Sequence, residues 1–299
     1  MAFASSPASP RFSLSSCSRL LKQALFGSVR IKQRWPGRAP LSQREKMRPR
    51  SSSHRVRPIV LRAADGTRLN GWLMTPRWPE VRGAVLYFTN GSEEALWLAA
   101  QASVLFLEMT LLVMQYRPAA SKDGRTVVEE RVADGAMLHD WLAASHRHLP
   151  GFPIVLMGRG CGAGIAAGVA AIRSAAAMVL FSPCDAVPSA PRRLSLLKRR
   201  LPSATGQVFQ FRHPAPVLVL RAEKDAVVTA ARSNAFLVRL PAGIEDRVFP
   251  GADHYDLPYR QESQETIVGF LGRHVLPTQL CRATAMNFLR REDQLAMVA

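Results

Sequence analysis

Acidic residues are scarce in this chain: 22 Asp and Glu stand against 40 Lys and Arg over 299 residues, giving a formal net charge of +18. The imbalance is local. Residues 1–57 hold 13 Lys and Arg and a single acid, Glu45, so most of the excess belongs to them. Cysteine is scarcer still, with only Cys17, Cys161, Cys184 and Cys281. None has CxxC spacing and none sits in a Cys/His cluster, which excludes the usual zinc sites. So few cysteines in so long a chain exclude a disulfide framework, and they read as free thiols in a reducing compartment. No metal and no cofactor is expected. A secretory signal needs an apolar h-region, and the N-terminal residues have none; "LSSC" at 14–17 is discounted as a lipoprotein box for the same reason. One stretch, Ala95 to Gln115, has the length of a membrane span, but it contains Gln101 and Glu108 and changes texture at Glu108. A mid-bilayer carboxylate is costly. A buried helix followed by a buried strand explains the run better. Basic charge without a recognition motif or interleaved aromatics leaves nucleic acid an unlikely partner.

What is present divides into three. Residues 1–57 are rich in Ser, Arg and Pro and read as a disordered leader. Within it Leu21, Leu25 and Val29 step by four with Arg19, Lys22 and Arg30 interleaved. That spacing suits a modest amphipathic helix, fit for an anionic membrane surface or an organelle transit peptide. Without either role the protein is expected to be cytoplasmic. Residues 58–275 read as one α/β domain. "RPIVLRAADGTRLNGWLM" predicts two strands around a DG turn. Short apolar runs at 83–88, 110–116, 153–158, 176–182 and 215–222 predict strands buried on both faces. Helices are predicted at 93–106, 126–144, 161–173 and 230–240, followed by a strand at 245–249 and a closing helix at 265–275. Val128, Val132, Ala136 and Leu142 share one helix face, as do Ile267, Phe270 and Leu271. Strands alternating with helices imply a mostly parallel sheet covered on both faces. Residues 276–299 read as a tail.

The segment "GRGCGAG", Gly158 to Gly164, follows a strand and opens a helix of small residues. That is the layout of a nucleophile elbow, G-x-S-x-G, with Gly160 where the nucleophile would stand. Together with "ADGTRLNGWLM", "APVLVLRAEKDAVV" and "FPGADHYDL" it makes four landmarks in order. The chain resembles the α/β-hydrolase superfamily over residues 57–275, in its Bem46-like or serine-aminopeptidase-like branch. The resemblance implies a triad in the order Ser, Asp, His. Carried over, the acid is Asp225, the base is His254, and the nucleophile seat is Gly160, vacated. It also implies an oxyanion hole from the backbone of Cys161 and the loop at Asn90. Here the chain departs again. Thr89-Asn90 stands for the family's "HG", and "RPAASKDG" replaces a glycine-rich turn. Several departures around one pocket point to relaxed demand on it.

Other groups compete with this reading. Cys161 lies one residue past the seat, at a helix start that stabilises a thiolate. Neighbouring side chains in a tight turn point different ways, so it reads as a structural cysteine before a replacement nucleophile. Ser92 and Ser182 read as turn or cap serines before relocated nucleophiles. Asp225 and His254 could each be ordinary loop residues, and Asp253 and Asp256 offer His254 other partners. "PRRLSLLKRRLP" at 191–202 reads as a basic lid-like helix over the pocket, or as a surface for acidic lipid or an acidic protein. The expectation is a pseudo-hydrolase of ester or amide hydrolase ancestry that binds a small-molecule acyl or amide ligand. Its rivals are an active hydrolase using Cys161, Ser92 or water, and a membrane-peripheral binding protein using the basic leader.

Overall fold

The computed structural model describes residues 49–276, apart from 78–79, 90–92, 107, 116, 118–124 and 185–214. The leader up to residue 48, the basic stretch 191–202, Asn90, Ser92, Cys17 and Cys281 therefore lie outside the described residues, as does the tail beyond 276.

Eight strands form one sheet: β1 (His54–Arg62), β2 (Arg68–Pro76), β3 (Gly83–Thr89), β4 (Met109–Gln115), β5 (Ile154–Arg159), β6 (Ala177–Phe181), β7 (Val217–Ala222) and β8 (Glu245–Phe249). Their order is β1-β2-β4-β3-β5-β6-β7-β8. The first hairpin is antiparallel, and β2 meets β4 antiparallel; every later pairing is parallel. Five α-helices are described: α1 (Glu93–Leu105), α2 (Arg125–Ser145), α3 (Cys161–Ile172), α4 (Ala230–Leu237) and α5 (Gln261–His274).

Alternation along the central strands builds two cores. Ala84, Leu86 and Phe88 of β3 face the layer of Leu138 and Leu142 (α2), Ile165 and Val169 (α3) and Phe236 (α4). Val85 and Tyr87 face the layer of Trp97 and Leu98 (α1) and Ile267, Phe270 and Leu271 (α5). Strands buried on both faces must be apolar at every position, which is why they read as unbroken runs. The helix face expected from Val128, Val132 and Leu142 packs as the spacing predicts. Gln115 ends β4, and Glu108, just before that strand, is buried and paired with Arg82 at 3.1 Å. The membrane-length run is thus a helix and a strand, and no helix among the described residues is long and apolar enough to cross a membrane.

The sheet starts earlier than the composition suggests. β1 begins at His54, inside the stretch assigned to the leader. Its ring is fully buried, hydrogen-bonded to the Met109 carbonyl at 3.0 Å and the Ser53 hydroxyl at 2.8 Å. Burial holds its pKa below the usual histidine range. Arg117, also buried, forks onto Asp134 at 2.7 and 2.6 Å and reaches Asp65 in the β1–β2 turn at 2.7 Å.

The chain runs from β3 outward to β4, then crosses back to β5 on the other side. Strand order reverses there, and in open α/β sheets such a switch leaves a crevice beyond the carboxyl ends of the strands. The end of β5 opens into it, and the loops after β7 and β8 lie along the same edge.

Candidate active site

The turn from β5 into α3 is built by glycines with different tasks. Gly158 lies against the helix. A Cβ there would land on the Gly162 carbonyl, with the Ala163 nitrogen 2.7 Å away. Gly160 takes a left-handed φ of 55°. Its N–H bonds the Phe181 carbonyl at 2.9 Å, and its carbonyl accepts from Ala163 at 3.1 Å and Cys184 at 3.2 Å. A Cβ added at 160 meets nothing within 4 Å. The backbone at Gly160 is therefore pinned in a conformation that L-residues rarely adopt, with room for a side chain and none supplied.

Asp225 follows β7 in a loop that its own carboxylate organises. One oxygen accepts from the N–H groups of Val227 at 2.9 Å and Val228 at 2.7 Å. The other lies 2.8 Å from Nδ1 of His254. The side chains are largely buried, 4% exposed for Asp225 and 11% for His254. Burial alone would raise the carboxyl pKa; the hydrogen bonds from His254 and the Val228 N–H, with the Ser182 hydroxyl close by, outweigh it and hold it below the ordinary value. A carboxylate only accepts, so Nδ1 carries a proton, and in the neutral ring Nε2 keeps its lone pair. Among the described residues Nε2 has no hydrogen-bond partner. The other acids near His254 are occupied elsewhere. Asp253 accepts from the N–H groups of Tyr255 and Asp256, and Asp256 pairs with Arg260 at 2.8 Å. Of the three acids considered for His254, Asp225 is the one it meets.

Three residues carry roles that sequence reading missed. Arg159, the exposed-looking residue between Gly158 and Gly160, donates to the His254 backbone carbonyl at 2.6 Å and lies 5.8 Å from the centre of the Tyr255 ring. It ties the elbow to the histidine loop. Ser182 follows β6 with a φ of 40° and is buried. Its hydroxyl lies near enough to Asp225 to help lower that pKa but makes no well-formed hydrogen bond. Cys184 is buried two residues on, its sulfur 3.8 Å from that of Cys161.

Cys161 opens α3, and its N–H, like every first-turn N–H, lacks an intrahelical acceptor. Its thiol turns to Cys184. The thiol hydrogen bond from Cys184 lowers the Cys161 pKa to about 7 against the opposing pull of burial, with Arg232 and Arg131 adding positive potential. Asn90 and Ser92 lie outside the described residues. Among the described residues no group of three or more His, Cys, Asp or Glu could hold a metal.

No family model matches the chain. Solved structures supply the class. An esterase of Pyrobaculum calidifontis matches with a TM-score of 0.54 at 16% identity, covering 91% of this chain and 95% of that one. A cold-adapted esterase from an Arctic intertidal metagenomic library matches with a TM-score of 0.53 at 16% identity, covering 77% and 98%. Together with the strand order these likenesses show an α/β-hydrolase fold. In sequence the chain is similar to an uncharacterized protein of Mycobacterium tuberculosis, 29% identical over 210 residues that make up 67% of this chain and 73% of the relative.

Proposed function

We propose that this protein is a pseudo-hydrolase, descended from ester or amide hydrolases and retained to bind a small acyl or amide ligand or a partner. One observation carries the reading. The elbow backbone at Gly160 and the Asp225–His254 pair are both kept, while residue 160 offers no oxygen to acylate. In a triad the histidine takes the nucleophile's proton, and the acid fixes the imidazole tautomer and stabilises the imidazolium. Here the groups for all three tasks are present as Asp225 and His254, and what is missing is a hydroxyl at residue 160 to give up the proton. Glycine at a position of left-handed φ also relieves the strain a serine would bear, of order 1–3 kcal/mol. Loss of the nucleophile therefore costs nothing in stability.

A fluorophosphonate probe tests this. The parent protein is expected to remain unlabelled. Gly160→Ser is expected to gain a covalent adduct at residue 160 that disappears on adding His254→Ala. Labelling of the parent at another serine, Ser92 included, would overturn the reading.

The open face of His254 supports a second reading, in which Nε2 activates a water that attacks the acyl carbon directly. Such a route forms no acyl-enzyme, so the parent would turn over p-nitrophenyl esters without a burst and without probe labelling. Hydrolases that lose a triad member keep about 10³–10⁴-fold catalysis over water from the oxyanion hole and binding alone, and a water route would add to that.

A further inference from the structure

The two thiols behind the elbow are not used by any hydrolytic role. They come from different segments, Cys161 from the start of α3 after β5 and Cys184 from the stretch after β6, and meet because those strands are parallel neighbours. Their sulfurs stand 3.8 Å apart, and the bond from the Cys184 N–H to the Gly160 carbonyl, 3.2 Å, ties the two backbones together beside them. A disulfide needs about 2.05 Å between sulfurs, so closure asks for a movement of about 1.8 Å. Neither cysteine is in a disulfide in the structure. They differ in access: Cys161 is half-buried, whereas Cys184 is 1% exposed. Cys161 also sits at a helix start with Arg131 and Arg232 nearby, the surroundings that favour a thiolate.

We propose that Cys161 and Cys184 form a thiol–disulfide exchange site whose substrates are small-molecule disulfides, with Cys161 attacking and Cys184 resolving. The Cys161 thiolate attacks one sulfur of the incoming disulfide. The S–S bond of that molecule breaks, one half leaves as a thiolate, and a mixed disulfide forms on Cys161. Cys184 then gives up its proton and attacks the Cys161 sulfur, releasing the second half as thiol. The protein dithiol loses two electrons and the small disulfide gains them. The proposal does not depend on whether Gly160 is a disarmed seat, since neither thiol engages His254.

The test uses the full chain and oxidised glutathione. After incubation and quenching with iodoacetamide, non-reducing trypsin digestion releases residues 160–173 and 174–192, each with one of the two cysteines. The expected product is these two peptides joined, two hydrogens lighter than their sum and separated by dithiothreitol. Iodoacetamide labelling of Cys161 should fall at least tenfold on oxidation and recover on reduction. Cys184→Ser should accumulate the glutathione adduct on Cys161, and Cys161→Ser should leave Cys184 unmodified. Should either variant fail to fold, the parent's joined peptide decides alone. Unlinked peptides with a stable adduct on Cys161 of the parent would overturn the resolving role. An unmodified Cys161 while Cys17 or Cys281 takes the adduct would overturn the site.

Discussion

Two sides of the sheet's carboxyl edge have fared differently. The side after β7 and β8 keeps its chemistry: Asp225 is locked by two backbone N–H groups and holds His254 at 2.8 Å. The side after β5 has a shaped turn with no side chain at its apex: Gly160 holds a φ of 55° with open space where a side chain would project. The contrast teaches that an elbow is specified by backbone packing, chiefly the approach of Gly158 to Gly162, and not by the residue at its apex. On the proposed reading, chemistry at the apex is lost while the frame that served it persists.

The contrast can be broken from either side. The largest effect is expected when both sides work together. In the Gly160→Ser background, Asp225→Asn should lower ester turnover by about 10³–10⁴-fold, because the imidazole loses the group that fixes its tautomer. Steady-state kinetics of the double variant check this. Next comes the frame itself. Gly158→Ala forces a Cβ into the backbone of α3 and should cost about 3 kcal/mol or more, roughly a 10 °C fall in Tm by calorimetry. Gly160→Ala, two residues away, has open space and bears only the left-handed φ; its cost should be about 1–2 kcal/mol. If the two alanine variants melt together, the apex and the frame are not distinct.

Smaller effects separate the acid from its surroundings. Hydrogen bonds hold the Asp225 pKa in the folded state below the unfolded value, which is about 3.9. Its contribution to stability is thus present above that value and lost as pH falls through the lower folded pKa. Asp225→Asn should flatten the acid limb of a stability-versus-pH curve below about pH 4. Arg159→Ala frees the His254 carbonyl from its anchor; in the Gly160→Ser background kcat should fall several-fold with KM little changed. Rescue by Arg159→Lys would mark a positioning contact and not a packing one. The smallest is a rate: alkylation of Cys161 should be half-maximal near pH 7, below an ordinary thiol at about 8.5. An unshifted profile would remove the influence of Cys184 on that thiol.

Most of the frame was legible in sequence because buried parallel strands leave a strong signature. "GAVLYF" and "PIVLMG" have no polar residue to interrupt them, and the elbow follows the second directly. Asp225 and His254 were legible as loop residues after the right strands. What sequence hides are contacts made across strands. Cys161 and Cys184 are separated by 23 positions with no motif between them. Nothing about Arg159 indicates that its guanidinium reaches a carbonyl 95 residues away. His54 sits in a basic, serine-rich stretch, and its burial under Met109 depends on how β1 meets the sheet edge. The left-handed φ of Ser182 carries no signal of its own, since serine is not a residue that signals that conformation.

The central claim is that the acid–base pair still faces an apex emptied of its nucleophile. Pre-steady-state mixing of Gly160→Ser with a p-nitrophenyl ester, beside the parent and Gly160→Ser/His254→Ala, tests it most directly. The account predicts a burst of p-nitrophenol near one equivalent per chain in the single variant alone, followed by slower turnover. His254-dependent turnover by the parent, or a Gly160→Ser protein that folds and shows no burst, would contradict it.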